Sequence, residues 1–433
     1  MQPSNVRRRP VVGSRGSGYQ DTAGVVALGR RHRPDYWLVT ICAALLSIGL
    51  VVVYAISPAL AQASGVSNSY YVGRQFIAIS LSAVAFAATA HIPLSTWRKL
   101  AQPLLIAACI ATLLALILPV NPAYPAHRWV RLGSFSFQSV EIVKFAALLA
   151  LAGFFTERMA RGTLDNFQKT LKPLIIAVVV AGIVIAGPQA LRAQSDLGSM
   201  AVLIAMVGAM CLVAGLPLRL LAIIGVILTI LVTLFIVPSQ YRRERLTSFL
   251  NPEASCQDAG YQACQALVAI GSGGISGLGL GRSVQAYGYL PEAANDSIFA
   301  IYAEKFGFIG SVTLLGLLVA LFSRLKTIAE RAPDNFSRLI VCGVLAWLSV
   351  QTIINIGAML GLLPLKGITL PFISYGGTSV VFVSAAIGLV FQISRYTSFA
   401  APVITTEGRQ AHDNRRNGRR LRGAYHPDSS GRS

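Results

Sequence analysis

The stretch Gln285–Gly310, QAYGYLPEAANDSIFAIYAEKFGFIG, decides how the whole chain is read. Its first half is polar and rich in turn residues, and its second half runs straight into an apolar segment. Glu292, Asp296 and Glu304 therefore fall where water gives way to hydrocarbon. An ionisable group deep in a bilayer costs at least about 2.5 kcal/mol on insertion scales, so such residues point to function. A poorly solvated carboxylate at that depth suits a general base.

Outward from this stretch, the 433 residues are 54% hydrophobic and only 12% charged, with a mean hydropathy of +0.61. That composition excludes an ordinary soluble domain. Apolar runs of about 18 residues or more recur along the chain, the length of helix that crosses a bilayer. The fold expected is an all-α polytopic membrane protein of about ten transmembrane helices. The spans fall at Tyr36–Leu60, Gln75–Ile92, Pro103–Val120, Val140–Phe155, Pro173–Gly187, Leu197–Gly215, Leu220–Val237, Ser297–Phe322, Ile340–Leu360 and Thr378–Ile393. No strand pattern and no internal repeat stand out.

The net charge of +20 lies mostly in the two tails and the short loops, which argues against a nucleic-acid partner. Arg7, Arg8, Arg9, Arg15, Arg30, Arg31 and Arg33 precede the first span, and Arg409, Arg415, Arg416, Arg419, Arg420 and Arg422 follow the last. The positive-inside rule places both ends in the cytoplasm. Residues 1–34 and 396–433 read as basic disordered tails held near anionic headgroups, and residues 35–395 as the membrane domain. The longest internal polar segment, 238–296, becomes a large extracytoplasmic loop between the seventh and eighth spans. Cys42, Cys109, Cys211 and Cys342 fall inside spans as small apolar residues, whereas Cys256 and Cys264 share the large loop. Outside the cell that pair either bridges, bracing the loop, or stays as two free thiols.

Several basic residues sit on the outer side, where the topology gives no reason for them: Arg128 and Arg131, then Arg242, Arg243 and Arg245, then Lys366. Single ones would snorkel to lipid phosphates, but three separate loops of them suit an anionic substrate head such as a pyrophosphate. Within QSVEIVKF, Glu141 and Lys144 are one helical turn apart and can pair; buried ion pairs are poor stability devices, so they read as lining a polar cavity. Asp196 stands where it would cap a helix. The glycine-rich run Gly271–Ser283 and the SYGGTS turn at Ser374–Ser379 match neither a P-loop nor a dinucleotide fingerprint. Nothing resembles an ATP site, a thiol or histidine metal cluster, or a serine hydrolase elbow.

In order along the chain stand HRWVRLGSFSFQSVEIVKF, QSDLGS, YRRERLTSFLNPE, YQACQALVAIGSGGISGLGLG, YLPEAANDSIFAIYAEKFGFIG and NIGAMLGLLPLKGITLPFISYGGTS. This ordered set, from about Arg128 to Ser379, resembles the SEDS family (FtsW, RodA and SpoVE), multi-spanning peptidoglycan glycosyltransferases. The resemblance implies polymerisation of lipid II, a disaccharide-pentapeptide on undecaprenyl pyrophosphate. It implies Asp296 as the catalytic general base. The substrate contacts expected beside it are Arg128, Arg131, Glu141, Lys144, Asp196, Arg242, Arg243, Arg245, Glu292, Glu304, Lys366 and Ser374.

YLPEA and PLKGITLPFISYGG look more like the septal, FtsW branch than the elongation branch of RodA. By family analogy the partners are a class B penicillin-binding protein and other divisome proteins, in the bacterial cytoplasmic membrane at the septum. No dedicated metal site is expected, although Asp296, Glu292 and Glu304 offer oxygen ligands that a divalent magnesium or manganese ion would accept. The chain departs from the family pattern at QSVE and QSDLG, each lacking a proline, and at Lys305 after Glu304. Two other functions fit the composition. A lipid II flippase would carry its charged track through to the cytoplasmic side, and a noncatalytic division scaffold would leave Asp296 replaceable.

Overall fold

The computed structural model describes residues 30–31, 33–118, 127–132, 135–187, 193–236, 243, 247–250, 256–258, 260–365 and 367–397. The helices are α1 Tyr36–Ser64, α2 Tyr70–His91, α3 Leu94–Ile117, α4 Ser139–Ala160 and α5 Phe167–Ala186, the last with a π-type turn at each end. They continue as α6 Leu197–Ala214, α7 Leu218–Ile236, α8 Tyr261–Gly273, α9 Ile298–Glu330, α10 Asn335–Met359 and α11 Gly377–Ile393. Eight of these are long and apolar enough to cross a membrane. Helices α7 and α11, of 19 and 17 residues, lie where the other two spans were expected. Most are apolar all round, as a helix bathed in lipid on one side and packed on the other must be.

Burial separates the centre from the rim. In α4, α6 and α10 the most apolar window is 56%, 56% and 61% buried, against 22% in α2, α3 and α9. Glu141 and Lys144 of α4 and Gln351 and Asn355 of α10 are among the buried polar residues, and α2, α3 and α9 present more of their apolar surface to lipid. Helix α11 packs along α2, α3 on α4, α10 on both α6 and α9, and α8 on α9. The largest fully buried side chain is Trp347 of α10, and Lys144 comes next.

Two features depart from the sequence reading. A small antiparallel hairpin pairs Trp129–Leu132 with Phe135–Gln138, with Trp129 opposite Gln138 and Val130 opposite Phe137. Four-residue strands are too short to leave a periodic signature, which is why none stood out. Arg30–Arg31 likewise pairs with Tyr396–Thr397, so residues placed in the two tails meet at the edge of the bundle. The tails beyond 30 and 397 lie outside the described residues.

The eighth span also differs. Gly307 adopts φ 63° and ψ −160°, a backbone region essentially reserved for glycine, and breaks α9 in two. The piece Ile298–Phe306 is almost wholly buried, whereas Phe308, Ile309 and Val312 are exposed. The lipid-facing helix thus begins at about residue 308, not at Ser297, and the nine residues before it belong to the loop that carries Asp296. A β-carbon at 307 would collide with the backbone of Gly277 and Ile275, so the glycine-rich turn closes directly against the break.

Candidate active site

Asp296 ends a tight turn that begins at Glu292, itself at φ 50°. The amides of Asn295 and Ser297 both donate to the Glu292 carbonyl, and the Ser297 hydroxyl donates to Pro291 O at 2.9 Å. Two long-range ties fix this turn in the bundle. Asn355 of α10 donates its amide to Asp296 O and to Ile368 O, each at 2.7 Å, and Ser374 donates to Asn295 O at 2.6 Å while accepting from Leu370 N at 2.7 Å. Tyr375 N adds a bond to Ala294 O. The Asp296 backbone is therefore held by the loop 367–376 and by α10, and its side chain is placed by rigid elements.

Arg128 reaches the same place from the hairpin. Its Nε donates to Gln194 O and one Nη to Ser195 O, both at 2.8 Å. Ser195 sits at φ 56°, just before Asp196 caps α6 through Ser199 N at 2.9 Å and Ser199 Oγ at 2.8 Å. The other Nη of Arg128 and Oδ2 of Asp296 converge on Gly367: a β-carbon there would lie 3.6 Å from the first and 3.7 Å from the second. A guanidinium and a carboxylate thus face a common space across a residue with no side chain. A cation and a proton acceptor are thus held side by side at one glycine.

Beneath the loop lies a buried polar chain. Lys144 Nζ pairs with Glu141 Oε1 at 2.7 Å, lies 5.0 Å above the Trp347 ring and bonds Gln351 Oε1 at 3.3 Å. Trp347 Nε1 donates to the same Gln351 oxygen, and Gln351 Nε2 donates to Thr369 O at 2.9 Å. Glu141 and Lys144, expected to line a polar cavity, are instead 3% and 1% exposed, and through Gln351 they are tied to Thr369 of the 367–376 loop. These partners offset part of the pair's desolvation cost, while Glu141 Oε2 is buried with no hydrogen-bond partner among the described residues.

Other expected substrate contacts change role. Glu304 is fully buried; it accepts the Ser283 hydroxyl and the amides of Val284 and Gln285, so it anchors the glycine-rich run. Lys305 joins it by donating to Leu280 O at 2.8 Å. Ser374, 1% exposed, ties the Asp296 turn to its neighbouring loop. Asp196 is a helix cap that also accepts from Gln138 Nε2 at 3.4 Å. Glu292 is exposed and bonds Asn295 Nδ2. With Glu304 so committed, the three carboxylates suggested for a divalent cation do not form a common cage. Among the described residues no group of three His, Cys, Asp or Glu side chains could hold a metal ion.

Arg243 is exposed, while Arg242, Arg245, Lys366 and the side chain of Arg131 lie outside what the structure describes. Cys256 and Cys264 are joined by a disulfide.

The sequence reading missed Gln194, Gln262, Gly367, Gln351 and Asn355. The last two carried a signal: amides four apart within the apolar run SVQTIINIG fall on one helix face, where hydrocarbon leaves them no solvent partner.

The fold and site together define a polytopic helical membrane protein in which the Asp296 turn, the Arg128 hairpin and the 367–376 loop meet and bring a carboxylate and a guanidinium to Gly367. A family model described as cell cycle protein, FtsW/RodA/SpoVE, matches residues 36–399. A probable peptidoglycan glycosyltransferase FtsW of Coxiella burnetii is 35% identical over 367 residues, covering 84% of this chain and 96% of that protein. Stage V sporulation protein E of Bacillus subtilis is 34% identical over 371 residues, covering 86% and 99%. A chain from a solved peptidoglycan synthase complex that coordinates polymerization and crosslinking superposes with TM-score 0.66 at 28% identity, covering 84% of this chain and 98% of that one. The chain belongs to the FtsW/RodA/SpoVE family.

Proposed function

We propose that this protein is a peptidoglycan glycosyltransferase that polymerises lipid II into glycan strands, of the septal rather than the elongation kind. The observation that carries the reading is the convergence of Arg128 and Asp296 on Gly367. Asp296 acts as general base, taking the proton of the acceptor sugar 4-hydroxyl as its oxygen attacks the anomeric carbon of the donor. The new glycosidic C–O bond forms as the bond to pyrophosphate breaks, and the electron pair leaves with the pyrophosphate. In-line displacement inverts the anomeric centre. Arg128 meets the developing charge on the leaving group, and a dry site makes that contact strong.

The relatives' names and the synthase-complex neighbour support the enzyme class and a crosslinking partner, here a class B penicillin-binding protein within the divisome. The positive-inside pattern supports a site on the outer face of the cytoplasmic membrane, where lipid II would be polymerised. A magnesium or manganese ion would arrive with the pyrophosphate and neutralise part of its charge.

The test is polymerisation of lipid II by purified wild-type and Asp296→Asn protein, each with its partner made transpeptidase-dead, with strands read on a gel. Loss of a general base slows turnover by about 10²–10⁴-fold. Equal strands from both would remove Asp296 as the base. No strands from either, with lipid II crossing the membrane of reconstituted vesicles, would favour a flippase.

A further inference from the structure

Helix α8 lies inside the segment read as a loop, and its packing has a single stripe. Gln262, Ala266, Ala269 and Gly273 recur at helical spacing on one face; Ala266, Ala269 and Gly273 are buried. A β-carbon at 273 would collide with Ala303 O and crowd Glu304 Cα, so the two backbones touch at that end. At the other end the stripe carries a long polar side chain instead of a small one. Gln262 Nε2 donates to Ser297 Oγ at 3.0 Å and approaches Asp296 Oδ1 at 3.4 Å. The Ser297 hydroxyl spends its own proton on Pro291 O, which leaves it an acceptor for Gln262.

The turn that launches Gln262 is itself stapled. Cys256 lies in the turn before α8, and Cys264 is in its first turn, so the disulfide joins positions eight apart in sequence around the start of the helix. Cys264 is two residues beyond Gln262, which puts the two side chains on roughly opposite faces. The staple therefore grips the helix from behind while the amide reaches forward to Asp296. A helix of 13 residues frays at its first turn unless something holds it, and here the cap residue Gly260 offers no side chain to do so.

We propose that Gln262 is a positioning residue for Asp296, and that the Cys256–Cys264 disulfide fixes the helix turn from which it reaches. This rests on the reading of Asp296 as the general base. The amide orients Oδ1, directing Oδ2 toward Gly367 and the substrate space. Without the staple the first turn of α8 swings, and the carboxylate loses its orientation though not its charge.

Lipid II polymerisation by full-length protein with its transpeptidase-dead partner is measured for wild type, Gln262→Met, Cys256→Ser/Cys264→Ser, and the triple variant. Methionine keeps the volume and removes the donor. Misorienting a catalytic group by a fraction of an ångström should lower kcat by about tenfold, with KM within about twofold of wild type. The disulfide variant should lose kcat in the same sense, and the triple variant should be no slower than Gln262→Met, because the staple acts through that residue.

Thermal unfolding and gel filtration check that each variant folds. If Gln262→Met does not, the isosteric Gln262→Glu replaces it, and a wild-type rate from that variant overturns the proposal. So do a wild-type rate for Gln262→Met, losses that simply multiply in the triple variant, or mass spectrometry finding both thiols free in active protein. A wild type that makes no strands, by contrast, brings down the glycosyltransferase reading and this proposal with it.

Discussion

Replacing Lys144 by methionine isolates what the buried polar chain contributes. Lys144 is 1% exposed, and its ammonium is shared between Glu141 Oε1 at 2.7 Å, Gln351 Oε1 at 3.3 Å and the face of Trp347. Methionine fills nearly the same volume, so no large cavity opens and the loss is electrostatic. It leaves Glu141, 3% exposed, as a buried carboxylate without its cation. Breaking a buried pair from one side costs about 3–5 kcal/mol, whereas removing both charges with shape retained is close to neutral. Lys144→Met should therefore destabilise by about 3–5 kcal/mol, and Glu141→Gln/Lys144→Met should return to within about 1 kcal/mol of wild type. Denaturation in mixed micelles, followed by tryptophan fluorescence, reads both; Trp347 reports directly from the site. Two single-variant losses that add in the double variant would refute the account, because the residues would then not be acting as a pair.

Other outcomes follow from the same geometry. Gly367→Ala places a methyl group in ordinary van der Waals contact with Arg128 and Asp296, so the fold survives while the gap between them fills; turnover should fall by about 10²-fold at unchanged melting temperature, and wild-type turnover would refute the common substrate space. Arg128→Lys keeps the charge but cannot hold both the Gln194 and Ser195 carbonyls, so turnover should drop by about tenfold or more, measured as strand synthesis; normal synthesis would remove the geometric role of the guanidinium. Glu304→Gln turns an amide toward donors that the carboxylate accepts, costing about 2–3 kcal/mol, and should expose the 278–290 segment to limited proteolysis; an unchanged digest would show that the anchor lies elsewhere. Gly307→Ala meets both backbone strain and a collision with Ile275 and Gly277, and should lower stability by about 3 kcal/mol or more in the same micelle assay.

Much of the architecture was legible without coordinates, because a bilayer constrains a chain more tightly than water does. Continuous apolar runs, bounded by arginine-rich loops, announce helices that satisfy their own backbone, and the positions of α1 to α7 and α9 to α11 follow from that alone. Asp296 stood out because charges near hydrocarbon are costly and few, and Arg128 because the topology gave no reason for a cation on the outer side. Their partners did not. Gln262 sits in a segment with no long apolar run, and Gly367 has no side chain to notice. The break at Gly307 depends on a φ that no composition reveals.

By itself, then, the sequence determined the class of fold, the spans, and the charged residues worth watching, since each is set by local hydropathy and by the energy of putting charge in lipid. Only the tertiary structure decided which of those charges meet. Glu304 and Arg128 are equally conspicuous in the chain, yet one is consumed in anchoring the glycine-rich run and the other faces Asp296 across Gly367. That division depends on contacts between residues as far apart in the chain as Arg128 and Gly367, brought together by helix packing, and no local pattern encodes it.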